Sequence, residues 1–203
     1  MKRVIVIPII HTATDLGSLA ESVRAHYIQR FGPAVWDERQ RAVRELWHDI
    51  RRAVDALKLD YRGVRIYQDG LPVCGQEEPI LRELAEAGSL NHQLVRELLG
   101  RGAMLVGTED PQLLIREYQL QRRRLGAASH DPLPPASHQQ DAHPASDDDA
   151  AGILADRDRF IAQRIAATLP DGQTGLLFLG AAHRLDALRA AGLDVATLEG
   201  LRS

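Results

Sequence analysis

Short apolar runs alternate along this chain with longer stretches in which apolar residues recur every three or four positions. The run Val4-Ile5-Val6-Ile7-Pro8-Ile9-Ile10 predicts a buried strand over Arg3 to Ile10. Ser18-Leu19-Ala20-Glu21 then fits a capping box, in which the Ser18 hydroxyl and the Glu21 carboxylate satisfy each other's orphan backbone donors, so a helix is expected from there to about Arg30. Gly32-Pro33 stops it. A longer helix follows, carrying Val43, Leu46, Trp47, Ile50, Val54 and Leu57 as a core stripe and Arg39, Arg41 and Glu45 on a solvated face. Gly63 releases the chain into the strand Val64-Arg65-Ile66-Tyr67-Gln68, which ends in the turn Asp69-Gly70-Leu71-Pro72. Gln76-Glu77-Glu78-Pro79 opens another helix, with Pro79 expected at its first position. The strand Ala103 to Gly107 leads into Thr108-Glu109-Asp110-Pro111, where Asp110 reads as a helix cap. Asp156-Arg157-Asp158-Arg159 is expected to head a helix that buries Phe160, Ile161, Ile165 and Leu169. A strand from Gly175 to Leu179, a short helix around Leu185 to Ala191 and a strand from Asp194 to Leu198 follow.

Strands alternating with helices predict an α/β fold with a mainly parallel central sheet flanked by helices. At 203 residues and 44% hydrophobic content, the chain suits one domain, 1–203, with a substantial core. Residues 126–152 shift to Ala, Ser, Pro, His, Gln and Asp and hold too few large apolar side chains to offset ordering entropy, so a flexible loop is expected there. His130, His138 and His143 fall within it at irregular spacing and read as solvated linker residues rather than metal ligands.

Candidate chemistry gathers where strands end, because open α/β sheets bind ligands at their carboxyl edge. His11 directly follows the first strand, and His183 closes the run Leu176-Leu177-Phe178-Leu179-Gly180-Ala181-Ala182. Two such imidazoles meeting across one cleft would supply a general base, a metal site or an anion-binding pair. Asp69 and Glu109 are acids at two further strand exits. For either histidine the simpler alternative is a bond to local backbone. Asp15 lies close behind His11 and reads equally well as turn chemistry. Cys74 is a lone thiol without an evident histidine neighbour and reads as unreactive.

The formal net charge of -3 provides no basic field, despite Arg122-Arg123-Arg124, so nucleic acid is not expected as a partner. A single cysteine makes no internal disulfide, the first ten residues lack a signal-peptide core, and no stretch nears the roughly 20 apolar residues of a membrane span. A cytoplasmic protein without a membrane anchor is expected, with homo-oligomerisation left open. No G-x-S-x-G elbow, P-loop or dinucleotide fingerprint is present, which argues against those enzyme classes.

The run Asp156-Arg157-Asp158-Arg159-Phe160-Ile161-Ala162, followed by a helix and Leu177-Phe178-Leu179-Gly180-Ala181-Ala182-His183, resembles the closing portion of the TraB/ChaN/EreA-like (erythromycin-esterase) superfamily, which includes the Tiki proteases. In that group an Arg-Asp pair begins a helix and a G-x-x-H histidine ends the next strand. His11 matches the first histidine motif by position, with Pro8 standing where its glycine would be. The resemblance implies a fold of pseudo-repeated halves and a cleft where His11, His183 and Arg157 converge, with Asp69 and Glu109 matched by location. It also implies diverse activities: metal-dependent peptide cleavage, metal-free macrolide ester hydrolysis, and haem or iron binding. The chain has no room for the esterases' helical lid, so macrolide hydrolysis is not expected.

Histidine and carboxylate together either activate water directly or hold a divalent metal that lowers the water's pKa. With His11, His183 and Asp69 as ligands, zinc, manganese and iron are equally compatible. Arg157 suits a substrate carboxylate or phosphate or a developing oxyanion; the alternative is a surface ion pair with Asp156 or Asp158. Two functions are therefore expected. One is a hydrolase acting on a small-molecule or peptide substrate through His11, His183, Arg157 and Glu109. The other is a non-catalytic protein that uses the same cleft to hold a ligand, metal or haem.

Overall fold

Valine and isoleucine on both sides of Arg3–Ile9 (β1) make a strand that is buried on both faces. Val4 and Val6 join one core cluster, and Ile5, Ile7 and Ile9 join the other. The computed structural model describes residues 1–10, 12, 15, 19–124 and 147–198. After β1 come helices Ala20–Phe31 (α1) and Pro33–Ala56 (α2), strand Val64–Gln68 (β2), helices Glu77–Glu86 (α3) and Leu90–Gly100 (α4), and strand Met104–Val106 (β3). Helices Pro111–Arg124 (α5) and Asp147–Thr168 (α6), strand Thr174–Gly180 (β4), helix Asp186–Ala190 (α7) and strand Asp194–Thr197 (β5) complete the order.

All five strands are parallel, in the order β3-β2-β4-β1-β5. One face of the sheet packs on Val43, Trp47, Ile50 and Val54 of α2 and Leu94, Val95 and Leu98 of α4. The other packs on Ile161, Ala162 and Ile165 of α6 and Leu188 of α7. Connections through the α2/α4 layer step toward the β3 edge, and those through the α6/α7 layer step toward the β5 edge. Reversing face and direction together keeps every crossover of one hand, as parallel units require. Neighbouring strands thus send the chain to opposite faces, which opens crevices at the carboxyl edge.

The expected strands and the α2 stripe are present, with Leu46 and Leu57 packed against the core. Four local expectations differ. Ser18 lies outside the described residues, and α1 starts at Ala20 without a side-chain cap. α3 starts at Glu77, so Pro79 occupies its first turn, where its missing N–H still costs no bond. α4 has no counterpart in the sequence reading; Ser89 caps it by accepting the His92 N–H at 3.3 Å. Finally, α6 begins at Asp147, so 147–152 are helical, while 126–146 lie outside the described residues. Asp147, Asp148 and Asp149 favour the positive end of the helix dipole. Arg157-Asp158 therefore sits in the middle of a long helix rather than at its start. No described helix is long and apolar enough to cross a membrane.

Candidate functional site

Strand alternation decides which exit residues face which layer. Val64, Ile66 and Gln68 turn toward α2 and α4, so Asp69, one residue on, turns toward α6 beyond Tyr67. On α6, Arg157 and Asp158 lie one turn before Ile161 and Ala162 and share their inward face. An arginine is thereby driven into the sheet edge, where Asp69 and Glu109 await it.

Arg157 is the hub. Its Nε donates to Glu109 Oε2 at 2.9 Å, and its Nη2 donates to Glu109 Oε1 at 2.5 Å and Asp69 Oδ1 at 2.6 Å. Nη1 donates to Glu117 of α5. The Arg157, Asp69 and Glu109 side chains are 6%, 4% and 0% exposed, against 33% for Glu117, so two ion pairs are shielded from water and the third sits at the rim. Glu109 Oε1 also accepts the Gly70 N–H at 3.2 Å. Asp69 Oδ2 accepts the Gly180 N–H at 2.9 Å, joining the β2 exit to that of β4.

His183 stands on the other side of Asp69. Its Nδ1 lies 2.6 Å from Asp158 Oδ1 and its Nε2 lies 3.5 Å from Asp69 Oδ2. Asp158 Oδ2 also accepts the Arg184 N–H at 3.2 Å, so one carboxylate grips the imidazole and the adjoining backbone. The His183 N–H donates to Gly180 O at 3.1 Å, closing the turn that carries the ring back over the strand ends.

Burial alone would push the His183 pKa down, but the bonds to Asp158 and Asp69 and the Asp69 charge outweigh it and raise it from 6.5 to about 9. The ring is charged at neutral pH. Burial lifts the Glu109 carboxyl above its usual range against the pull of Arg157, and the carboxylates around Arg157 hold the guanidinium charged at any working pH.

Asp69, Glu109 and His183 present ligand atoms within 4.8 Å of one another, a donor set of types that suit a divalent ion. Charge argues against that use here. Arg157 Nη2 already bridges Asp69 Oδ1 and Glu109 Oε1. In this arrangement the three residues do not fit a resident metal ion.

The structure brings together Asp69, Glu109, Arg157 and His183 from four different segments of the chain. His11 lies outside the described residues; β1, which precedes it, pairs with β4 through Ile9 and Gly180, so the two exits are neighbours on one edge. Every nitrogen of the Arg157 fork is engaged by protein carboxylates, and neither Asp156 nor Asp158 is among them, so it has no fork free for a substrate anion. Asp158 and Glu117 are site residues that the sequence reading missed.

A second polar cluster sits at the same edge on the α4 side. Asp15 Oδ2 accepts the Thr12 N–H at 2.6 Å and the Thr12 hydroxyl at 2.8 Å, while Asp15 Oδ1 accepts the Ser89 hydroxyl. His92 Nδ1 lies 2.7 Å from Ser89 Oγ. Burial opposes the Asp15 charge, but bonds from His92, Ser89 and Thr12 hold its pKa below 3.8. Trp47 Nε1 donates to Ile10 O at 3.3 Å, fixing the β1 exit from the α2 layer. Cys74 is a free, exposed thiol.

No family model, curated protein or solved structure matches this chain.

Proposed function

We propose that the protein is a metal-independent hydrolase of the TraB/ChaN/erythromycin-esterase kind, with Asp69 and His183 as its acid–base pair. One observation carries the reading: an imidazole gripped at Nδ1 by Asp158 turns its Nε2 toward Asp69 at a sheet's carboxyl edge. A cationic imidazole facing a carboxylate sets a proton donor beside a proton acceptor. His183, charged at neutral pH, is the acid. Its Nε2–H stabilises the oxyanion that forms when water attacks a carbonyl, then delivers its proton to the leaving group. Asp69 Oδ2 takes the proton from the attacking water. Asp158 fixes the ring's tautomer and orientation, and Arg157, locked by Glu109 and Glu117, positions Asp69.

The test is turnover of a panel of activated esters and fluorogenic peptides in chelator-treated buffer, beside metal content by mass spectrometry. Wild-type turnover is expected without metal, with His183→Ala lowering kcat on the order of 10²–10⁴-fold. His11→Ala asks whether the first histidine serves the same centre. Stoichiometric metal that disappears in His183→Ala, or turnover indifferent to that substitution, would overturn the reading.

A further inference from the structure

β5 ends the sheet, paired on one side with β1 alone. The Asp194 N–H donates to Lys2 O at 3.0 Å and the Leu198 N–H donates to Val6 O at 2.8 Å, so the even-numbered residues of this strand turn their backbone groups to β1. Val195 and Thr197 turn an N–H and a C=O each outward, and none of these four groups has a partner among the described residues. An unpaired row of this kind is a template for another strand. Beside it, a hollow of about 600 Å³ opens between β5 and the C-terminal half of α2. Ile5, Ala53, Ala56, Ala196 and Leu198 give it apolar walls, and the three alanines leave space that longer side chains would fill. Arg3, Arg52 and Asp49 supply the charge of the lining. Asp49 is taken by Arg52, while Arg3 has no ion pair among the described residues, and Asp194, its register neighbour, lies outside the hollow. One uncompensated positive charge thus stands in the lining, at the end where β1 and β5 begin.

We infer that this edge and its hollow bind an extended peptide carrying a glutamate, added to the sheet as an antiparallel strand. Strand addition takes its affinity from main-chain bonds and its specificity from pockets that receive alternate side chains. Two peptide residues opposite Val195 and Thr197 close the four outward groups as two hydrogen-bonded pairs. The residue between them, opposite Ala196, then faces the α2 layer and enters the hollow. Arg3 stands two strand spacings and two residues from that position, about 12 Å, a span that arginine and glutamate side chains close together. A glutamate there lays its apolar stem along the alanines, and an apolar residue two positions earlier meets Leu198. A second copy of this chain fits less well. Antiparallel pairing of β5 with itself about Ala196 sets alanine against alanine over an unfilled hollow and gives Arg3 no anion. The edge lies three strands from β2 and its Asp69 exit, so the binding does not depend on the hydrolysis proposed above.

The probe is the end-capped peptide Val-Thr-Leu-Thr-Glu-Thr-Lys, which sets its leucine opposite Leu198, its glutamate opposite Ala196 and its lysine opposite Asp194. Titrated into the full-length, ¹⁵N-labelled protein, it is expected to give saturable shifts at the backbone amides of Val195 and Thr197. N-methylation of the two threonines that flank the glutamate removes the donors to β5 and should weaken binding about tenfold or more. Glutamine in place of the glutamate should weaken it about two- to fivefold, a difference that vanishes in Arg3→Gln. Thr197→Pro removes one outward donor without touching the ladder to β1 and should weaken the peptide as well; if that variant does not fold, the N-methyl comparison on wild type decides alone. Absence of saturable shifts at both amides, affinity indifferent to N-methylation, or an undiminished glutamate-to-glutamine difference in Arg3→Gln would each overturn the inference. Shifts at these amides that follow protein concentration without peptide would overturn it too, assigning the edge to a second copy.

Discussion

Replacing Arg157 with methionine retains much of its apolar stem and removes the charge on which the site's carboxylates depend. Asp69 and Glu109, at 4% and 0% side-chain exposure, would be left as buried anions facing each other, while Glu117, at 33%, could turn to solvent. Breaking a buried ion pair by removing one partner costs about 3–5 kcal/mol. For a chain of this size that lowers Tm by roughly 6–20 °C. The loss must also depend on pH. Burial already raises the Glu109 carboxyl, and without the guanidinium it rises further. A group whose folded pKa exceeds its unfolded value stabilises the fold most below the unfolded value and loses that contribution as pH rises through the folded one. The gap between wild type and Arg157→Met is therefore expected to shrink as pH falls from 8 to 5. Denaturant unfolding at several pH values measures it, and Arg157→Met/Glu109→Gln should recover part of the loss. A deficit below about 1 kcal/mol, or one independent of pH, would refute the view that Arg157 holds the carboxylates together.

Two further outcomes follow from the same electrostatics. The folded His183 pKa of about 9 lies above 6.5, so its stabilisation is complete below the lower value and is lost as pH rises through the higher, a fall of about 3 kcal/mol in unfolding free energy that Asp158→Asn should flatten. The Asp15 pKa lies below 3.8, so its contribution is present above that value and is lost as pH falls through the folded pKa. Asp15→Asn should cost about 1.5–3 kcal/mol at pH 7 and make acid unfolding shallower, read by circular dichroism between pH 5 and 2.

The parallel sheet was legible because its strands are short apolar runs and its longest helix carries an unbroken stripe. The exits carrying Asp69, Glu109 and His183 followed from that, since an edge is located once its strands are. Which neighbours each exit residue meets was not legible. In Asp156-Arg157-Asp158-Arg159, acid and base alternate, and the pattern alone offers Arg157 a surface pair with Asp156 or Asp158 as readily as a place in the cleft. Helical geometry splits it: Asp156 and Arg159 pair on the outside, while Arg157 and Asp158 turn inward with Ile161 and Ala162. The phase that decides this comes from α6 starting at Asp147, within a segment whose composition suggests a loop. Glu117 is hidden for a related reason: a single acid in the polar run of α5 looks solvated until Arg157 arrives from 40 residues away.

The strand order also governs how this protein can be made. β1 pairs with β4 and β5, the last two strands of the sheet, and with neither β2 nor β3. β4 begins about 165 residues after β1 ends. At ribosomal rates of about 5–20 residues per second, Val4, Ile5, Val6, Ile7 and Ile9 wait on the order of ten to thirty seconds without their native strand partners. Among the five described strands, β1 is thus the first to be synthesised and among the last to be enclosed. Until β4 and β5 emerge, the newborn chain carries this apolar run without its sheet neighbours, which makes the run the natural place for a chaperone to hold it.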